Sequence, residues 1–291
     1  MTPTDAVASL TVDSTARPRP SVGLTWQGAV LAGLIAWLYW EVCLKLVQDW
    51  WNFDSLSYGF LIPPLALYFA WMQRDAVLAI PQRSSARGLS LVALASLLYL
   101  TGKLGAEFFL QRISLVVLLA GITWTFWGYG RMRRLAFPFV LLAAMVPLPT
   151  IVFNLMAAPL QLFASDVAAS VSRACGITVY RDGNVIHLAN ISLGVEEACS
   201  GLSSLTSLVI GSLLLGQLQC VRLRTRVALL LLAVPLAIAV NVARVSGTAI
   251  LADYHEEFAM GFYHSFSGWL VFVAGLGGLY FTAKALHRIL D

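Results

Sequence analysis

With 291 residues, of which 59% are hydrophobic and only 12% charged, the chain is too apolar for a water-soluble domain. Its net charge of +4 is small, and no aromatic-interleaved basic domain accompanies it, so nucleic acid is excluded as a partner. The class that remains is an all-α, polytopic membrane helix bundle, with membrane lipid as its solvent.

Residues 1–26 begin "MTPTDAVASLTVDSTARPRPSVGLT", a polar, Pro/Ser/Thr-rich stretch with no short apolar core before a small-residue cleavage site. They read as a disordered cytoplasmic tail without a cleavable signal, and residues 27–291 as one transmembrane domain. A helix needs about 20 mostly apolar residues to cross roughly 30 Å of hydrocarbon. About eight segments qualify: 27–47, 58–73, 88–105, 108–129, 135–157, 200–219, 227–252 and 264–286. In the first, Glu41 and Lys45 stand at i and i+4 and are expected to pair. The second is short and holds Pro63 and Pro64. The fifth contains "PLP" at Pro147–Pro149, where lost amide donors and ring clashes should kink or end the helix.

Between the fifth and sixth segments, residues 158–198 form the one long extramembrane stretch and predict a small periplasmic cap. Leu160, Phe163, Val167 and Val171 recur at helical spacing opposite Ser165, Asp166, Ser170 and Arg173, the pattern of an amphipathic helix in the interface. After it, "ITVYRDGNVIHLANISLGV" places Asp182-Gly183-Asn184 between alternating β-branched runs and predicts a hairpin.

Basic residues set the orientation, because Lys and Arg stay on the cytoplasmic side. With both termini inside, 13 of the 19 basic residues are cytoplasmic, and 11 of the 15 acidic residues lie on the outer face or at outer helix ends. The four cysteines, Cys43, Cys175, Cys199 and Cys220, have no metal spacing and no C-x-x-C. Cys175 and Cys199 are both expected outside, where a disulfide between them is possible. "DYHEEF" from Asp253 resembles the start of a zinc helix, but residue 259 is alanine where a second histidine is needed. Neither a metal nor another cofactor is expected.

Three polar residues are placed at one depth. Cys199 opens the sixth segment, where the unpaired amides and positive dipole end of a helix N-terminus favour thiolate. In the seventh, Asn241 and Arg244 share a helix face, with Arg244 about 12 Å below the outer end at 1.5 Å per residue. An arginine at that depth faces the bundle interior and serves either function or structural pairing. His264 heads the eighth segment, while His255 and His187 are spare candidates for a base. A thiol, an imidazole and a fixed cation are the parts of a cysteine acyl-transfer site. Cys199 is the nucleophile and His264 the base; Arg244 stabilises the oxyanion or holds the substrate chain.

The chain resembles the exosortases and the related archaeosortases. Their pattern E-x-A-C-S-G-L, then N-x-x-R in a helix, then a histidine at the head of the last helix reads here as "EEACSGLSSL" at 196–205, "NVAR" at 241–244 and "YHSFSG" at 263–268. "DSLSYGFLIPPLALYFAWMQR" is similar to the family's early D-x-x-S-H-G-x-x-x-P segment, "FPFVLLAAMVPLP" to its F-P…P-L-P segment, and "GITVYRDGNVIHL" to its outer hairpin. Two positions depart: Tyr58 stands where the early motif usually has histidine, and Ser203 where many members have arginine. The resemblance implies Cys199, Arg244 and His264 as catalytic residues, with Asn241, Glu197, Ser200 and Gly201 supporting them or binding substrate.

It further implies an inner-membrane transpeptidase or peptidase whose site faces the periplasm. Its partners would be exported proteins with a C-terminal tripartite sorting signal of the PEP-CTERM kind: a short Pro-Glu-Pro-like motif, a transmembrane helix and a basic cluster. The other readings open to the residues are a membrane transporter, a non-catalytic component of envelope or exopolysaccharide assembly, and an intramembrane peptidase that uses only water.

Overall fold

The computed structural model describes residues 26–195, 202–219, 222–255 and 261–290, with backbone alone for Asp54, Leu202, Ser203 and residues 261–265. In chain order, the described residues form α1 (Trp26–Asn52), a 3-10 turn (Asp54–Phe60), α2 (Ile62–Met72), α3 (Arg74–Ala79), a second 3-10 turn (Ala86–Gly88), α4 (Leu89–Leu104) and α5 (Phe108–Trp127). There follow α6 (Tyr129–Arg134), α7 (Ala136–Ala144), α8 (Thr150–Ala174), β1 (Tyr180–Asp182), β2 (Val185–His187), β3 (Ser192–Gly194), α9 (Leu202–Gln219), α10 (Leu223–Tyr254) and α11 (Gly261–Leu290).

The chain divides into two compact units, residues 1–40 and 41–291. The described part of the first is the start of α1, with Trp26, Leu34, Trp37 and Trp40 exposed along an apolar rod. The second holds every element from the remainder of α1 onward.

Seven helical stretches among the described residues are long and apolar enough to cross a membrane, and α9 adds a shorter one over Ser204–Gln219. The all-α polytopic bundle expected from composition is therefore present. Pro63 and Pro64 sit in the first turn of α2, where the missing amide hydrogens are not needed and the ring preorganises φ. The Glu41–Lys45 pair forms at 2.9 Å, and Lys103 of α4 adds a second cation at 3.0 Å from the same carboxyl group. A less exposed pair, absent from the sequence reading, joins Asp49 to Arg112 at 2.6 Å.

The fifth crossing differs from the expected 135–157. Helix α7 stops at Ala144, and after the Pro147–Pro149 stretch α8 runs on for 25 residues. Pro149 lacks the amide that a continuous helix would offer to the carbonyl of Met145, four residues before it. That carbonyl instead accepts a hydrogen bond from Trp50 Nε1 at 3.3 Å. The indole fits because residue 59 has no side chain: a Cβ built on Gly59 would lie 2.2 Å from Trp50 Nε1. Gly59→Ala is accordingly expected to displace the indole and strand the Met145 carbonyl, lowering stability by about 1–3 kcal/mol. Thermal unfolding in detergent micelles checks this against Gly277→Ala, where a Cβ meets nothing within 4 Å.

The interfacial helix expected in the cap is not a separate element. Residues 158–174 are the C-terminal part of α8, which packs along α10. Its buried face is made of small residues. Ala157, Ala164, Ser165, Ala168, Ala169 and Ser172 are buried, while Phe163 and Val171 are exposed. Lipid solvates bulky apolar side chains as well as a protein core does, so the small residues turn inward and let two backbones approach closely. The hairpin forms as expected, with β1 and β2 antiparallel and Asp182 opposite Val185. Gly183 takes φ +59°, which favours glycine. A third strand that the sequence reading did not separate, β3, pairs with β2 and places His187 opposite Ser192.

Candidate active site

Helix α10 carries two of the candidate residues, Asn241 and Arg244. It runs 32 residues and packs against α8, α9 and α11. Asn241 lies on its buried side and lines a small cavity together with Leu160, Ala164, Leu205 and Val242. Arg244, one turn further, is half-buried with its Nε shielded from solvent. Because α10 extends to Tyr254, Arg244 stands ten residues, or about 15 Å, from the end of the helix.

The guanidinium meets α11 at Gly268. A Cβ built on that glycine would lie 3.1 Å from Arg244 Nη2 and 3.2 Å from Cζ. A larger residue at 268 would occupy the space in which the cation sits. Residue 264 precedes 268 by four, so the backbone of α11 carries both positions on one face, about one turn apart. His264 belongs to the backbone-only part of that helix.

Cys199, Glu197, Ser200 and Gly201 lie outside the described residues, as does Glu196. The residues that flank this segment are placed. Val195 is buried in a cluster with Ala164, Ala168, Ile186 and Val245, against which Val242 packs. Its amide donates to the carbonyl of Asn184 at 2.9 Å, which ties the exit of the sheet to the β1–β2 turn. On the other side, α9 begins at Leu202 and its Leu205 reaches the cavity beside Asn241. Both flanks thus converge on the Asn241–Val245 stretch of α10.

Another face of α9 meets the early motif. The Tyr58 hydroxyl is hydrogen-bonded to Thr206. Beside them opens a mostly apolar cavity of about 360 Å³, lined among others by Leu56, Phe109, Leu148, Phe153 and Val209. Where the related motif usually has histidine, this chain thus has a phenol anchored to the first turns of α9. Thr206 and Gly268 were missed in the sequence reading. A polar residue seven positions after Cys199, and a glycine one turn after His264, were the available signals.

The remaining candidates are placed elsewhere. His187 Nδ1 lies 2.7 Å from Ser192 Oγ, and its ring stacks on Tyr180, so it is held within the small sheet. His255 caps the C-terminus of α10. Arg181, a possible counter-charge for an acidic substrate, lies 3.3 Å from Asp166, and Arg173 donates to Ser170 Oγ at 3.2 Å. Cys175 caps α8 and is exposed; no disulfide occurs among the described cysteines, and its candidate partner Cys199 is outside them.

The family model described as transmembrane exosortase matches residues 50–281, most of the chain. No curated protein and no solved structure gives a significant match.

Proposed function

Given that the chain belongs to the transmembrane exosortase family, multi-pass membrane proteins of sorting-signal processing, we propose that it is a cysteine-dependent peptidase or transpeptidase acting on exported proteins. Its substrates carry a C-terminal signal of the PEP-CTERM kind. Their transmembrane helix lies beside the bundle, and their basic tail stays on the cytoplasmic side. The protein sits in the inner membrane with both termini cytoplasmic, which sets the scissile motif at the periplasmic face.

The reaction follows from three side chains. His264 takes the proton of the Cys199 thiol, and the sulfur attacks the carbonyl carbon of the scissile peptide bond. Negative charge develops on the carbonyl oxygen, where Arg244 stabilises it. Collapse of the tetrahedral intermediate breaks the C–N bond, and the proton held by His264 passes to the departing amine. The thioester left on Cys199 is then resolved by water or by an amine or hydroxyl of the cell envelope. Asn241 supports Arg244 from the same helix face, while Glu197, Ser200 and Gly201 support the thiol or bind the substrate.

The observation that carries this reading is the approach of the Arg244 guanidinium to Gly268, one turn from position 264 on α11. Its companion is the anchoring of both flanks of the Cys199 segment on the same stretch of α10. A deep arginine is costly in a membrane, and this placement gives it a use.

The test is to acid-quench cells co-expressing the protein with a tagged substrate and to analyse the peptide that contains Cys199. A hydroxylamine-labile adduct with the mass of the substrate peptide on the N-terminal side of the cleaved bond is expected, and His264→Ala should slow its appearance. Continued processing with no acyl group ever found on Cys199 would overturn the covalent route.

A further inference from the structure

A cavity of about 920 Å³ opens at the arginine-rich end of the bundle, where the segment between α3 and α4 meets the turn between α5 and α6. Its wall includes Arg83, Arg87, Ser84, Ser85, Trp124 and Tyr129 and contains no carboxylate. Neither Arg83 nor Arg87 forms an ion pair among the described residues. The acyl-transfer reading makes no use of this place.

The cavity is built from fastened backbone. The Ser85 amide donates to the carbonyl of Thr125 at 3.0 Å, Gln82 Nε2 to that of Phe126 at 3.1 Å, and Arg131 Nε to that of Ile80 at 2.9 Å. Gly128, at φ +89°, allows the two segments to touch: a Cβ there would lie 2.3 Å from the carbonyl oxygen of Arg83. Two cations and neighbouring hydroxyls are thus presented on a preformed rim, an arrangement suited to phosphate oxygens, which arginine can bind bidentately.

The surroundings separate a lipid phosphate from a soluble one. Leu89 of α4 and Phe126 and Trp127 of α5 are exposed at the ends of two membrane-spanning stretches next to the cavity. Trp124 and Tyr129 form a tilted ring pair with centroids 5.2 Å apart. Aromatic rings of this type belong at the headgroup level, and exposed apolar residues beside them offer a surface for acyl chains.

We propose that this cavity is a site for an anionic glycerophospholipid, with Arg83 and Arg87 binding its phosphate and its acyl chains lying along the ends of α4 and α5.

The full-length protein, purified in micelles doped equally with phosphatidylglycerol and phosphatidylcholine, tests this by native mass spectrometry. The wild type should retain phosphatidylglycerol selectively. The Arg83→Ala/Arg87→Ala variant should lose that preference by on the order of tenfold or more. Should that variant fail to fold, Ser84→Glu, which adds a carboxylate to the rim, should give the same loss. Arg133→Ala/Arg134→Ala removes equal charge outside the cavity wall and should keep the preference. Equal loss in that control would mean diffuse surface charge and overturn the site. Equal retention of both lipids by the wild type would overturn it as well. So would a wild type that binds inorganic phosphate yet retains no phosphatidylglycerol, by assigning the cavity to a soluble anion.

Discussion

Cys199→Ala is expected to lower processing of a co-expressed substrate by a factor on the order of 10⁴–10⁶, the scale seen when one member of a cooperating catalytic set is removed. The size of the effect follows from chemistry. Without sulfur there is no thioester, and the covalent route is closed. Cys199→Ser should recover little, because a hydroxyl is a far weaker nucleophile than a thiol near neutral pH. Immunoblotting of the tagged substrate over time measures the loss, and unchanged thermal unfolding shows that the bundle persists. Full processing by Cys199→Ala would end the acyl-transfer reading. If the phenotype then still required Arg244, a transport pathway through the bundle would become the better account.

Arg244→Ala should reduce turnover by about 10²–10³, the range for loss of one donor to a developing oxyanion. Arg244→Lys should restore little of it, since an ammonium lacks the planar fork of the guanidinium. The neighbouring helix provides an independent handle. Gly268→Leu fills the space that Arg244 Nη2 approaches, where even a Cβ would stand 3.1 Å away. Displacing the cation by about 1 Å is expected to cost on the order of 10² in turnover. Gly268→Ala should be milder, because a single methyl at that distance requires a shift of only tenths of an ångström. A loss caused by Gly268→Leu with an unchanged unfolding midpoint identifies positioning of the cation. Full processing by Arg244→Ala would remove the proposed oxyanion role.

These residues also show how far local patterns reach in a membrane protein. Apolar runs located nearly all the crossings, the two prolines of α2 lie in its first turn, and "PLP" marked the break between α7 and α8. Asp182-Gly183-Asn184 announced the hairpin, and the i, i+4 spacing of Glu41 and Lys45 announced their pair. Each is a property of a few neighbouring residues: a period, a missing amide, a φ that glycine tolerates. Nothing further away is needed to decide them.

The rotation of a helix in its lipid surroundings is another matter. In water, the bulky apolar stripe of α8 would turn inward; the sequence set it against the membrane interface and left open which face packs on the protein. In a bilayer both stripes are solvated, so the side chains that allow close approach decide which face packs, and Phe163 points outward while Ala164 and Ala168 meet α10.

By itself the amino-acid sequence determined the membrane class, most of the crossings, the break in the fifth, the hairpin and the family resemblance, because period, proline geometry and turn chemistry act over a few residues. Only the tertiary structure decided which face of α8 is buried, that Trp50 closes the gap left by Pro149, and that Arg244 lodges against Gly268. Those outcomes depend on how distant helices rotate and press together, and a chain in a uniformly apolar solvent carries little local signal for that.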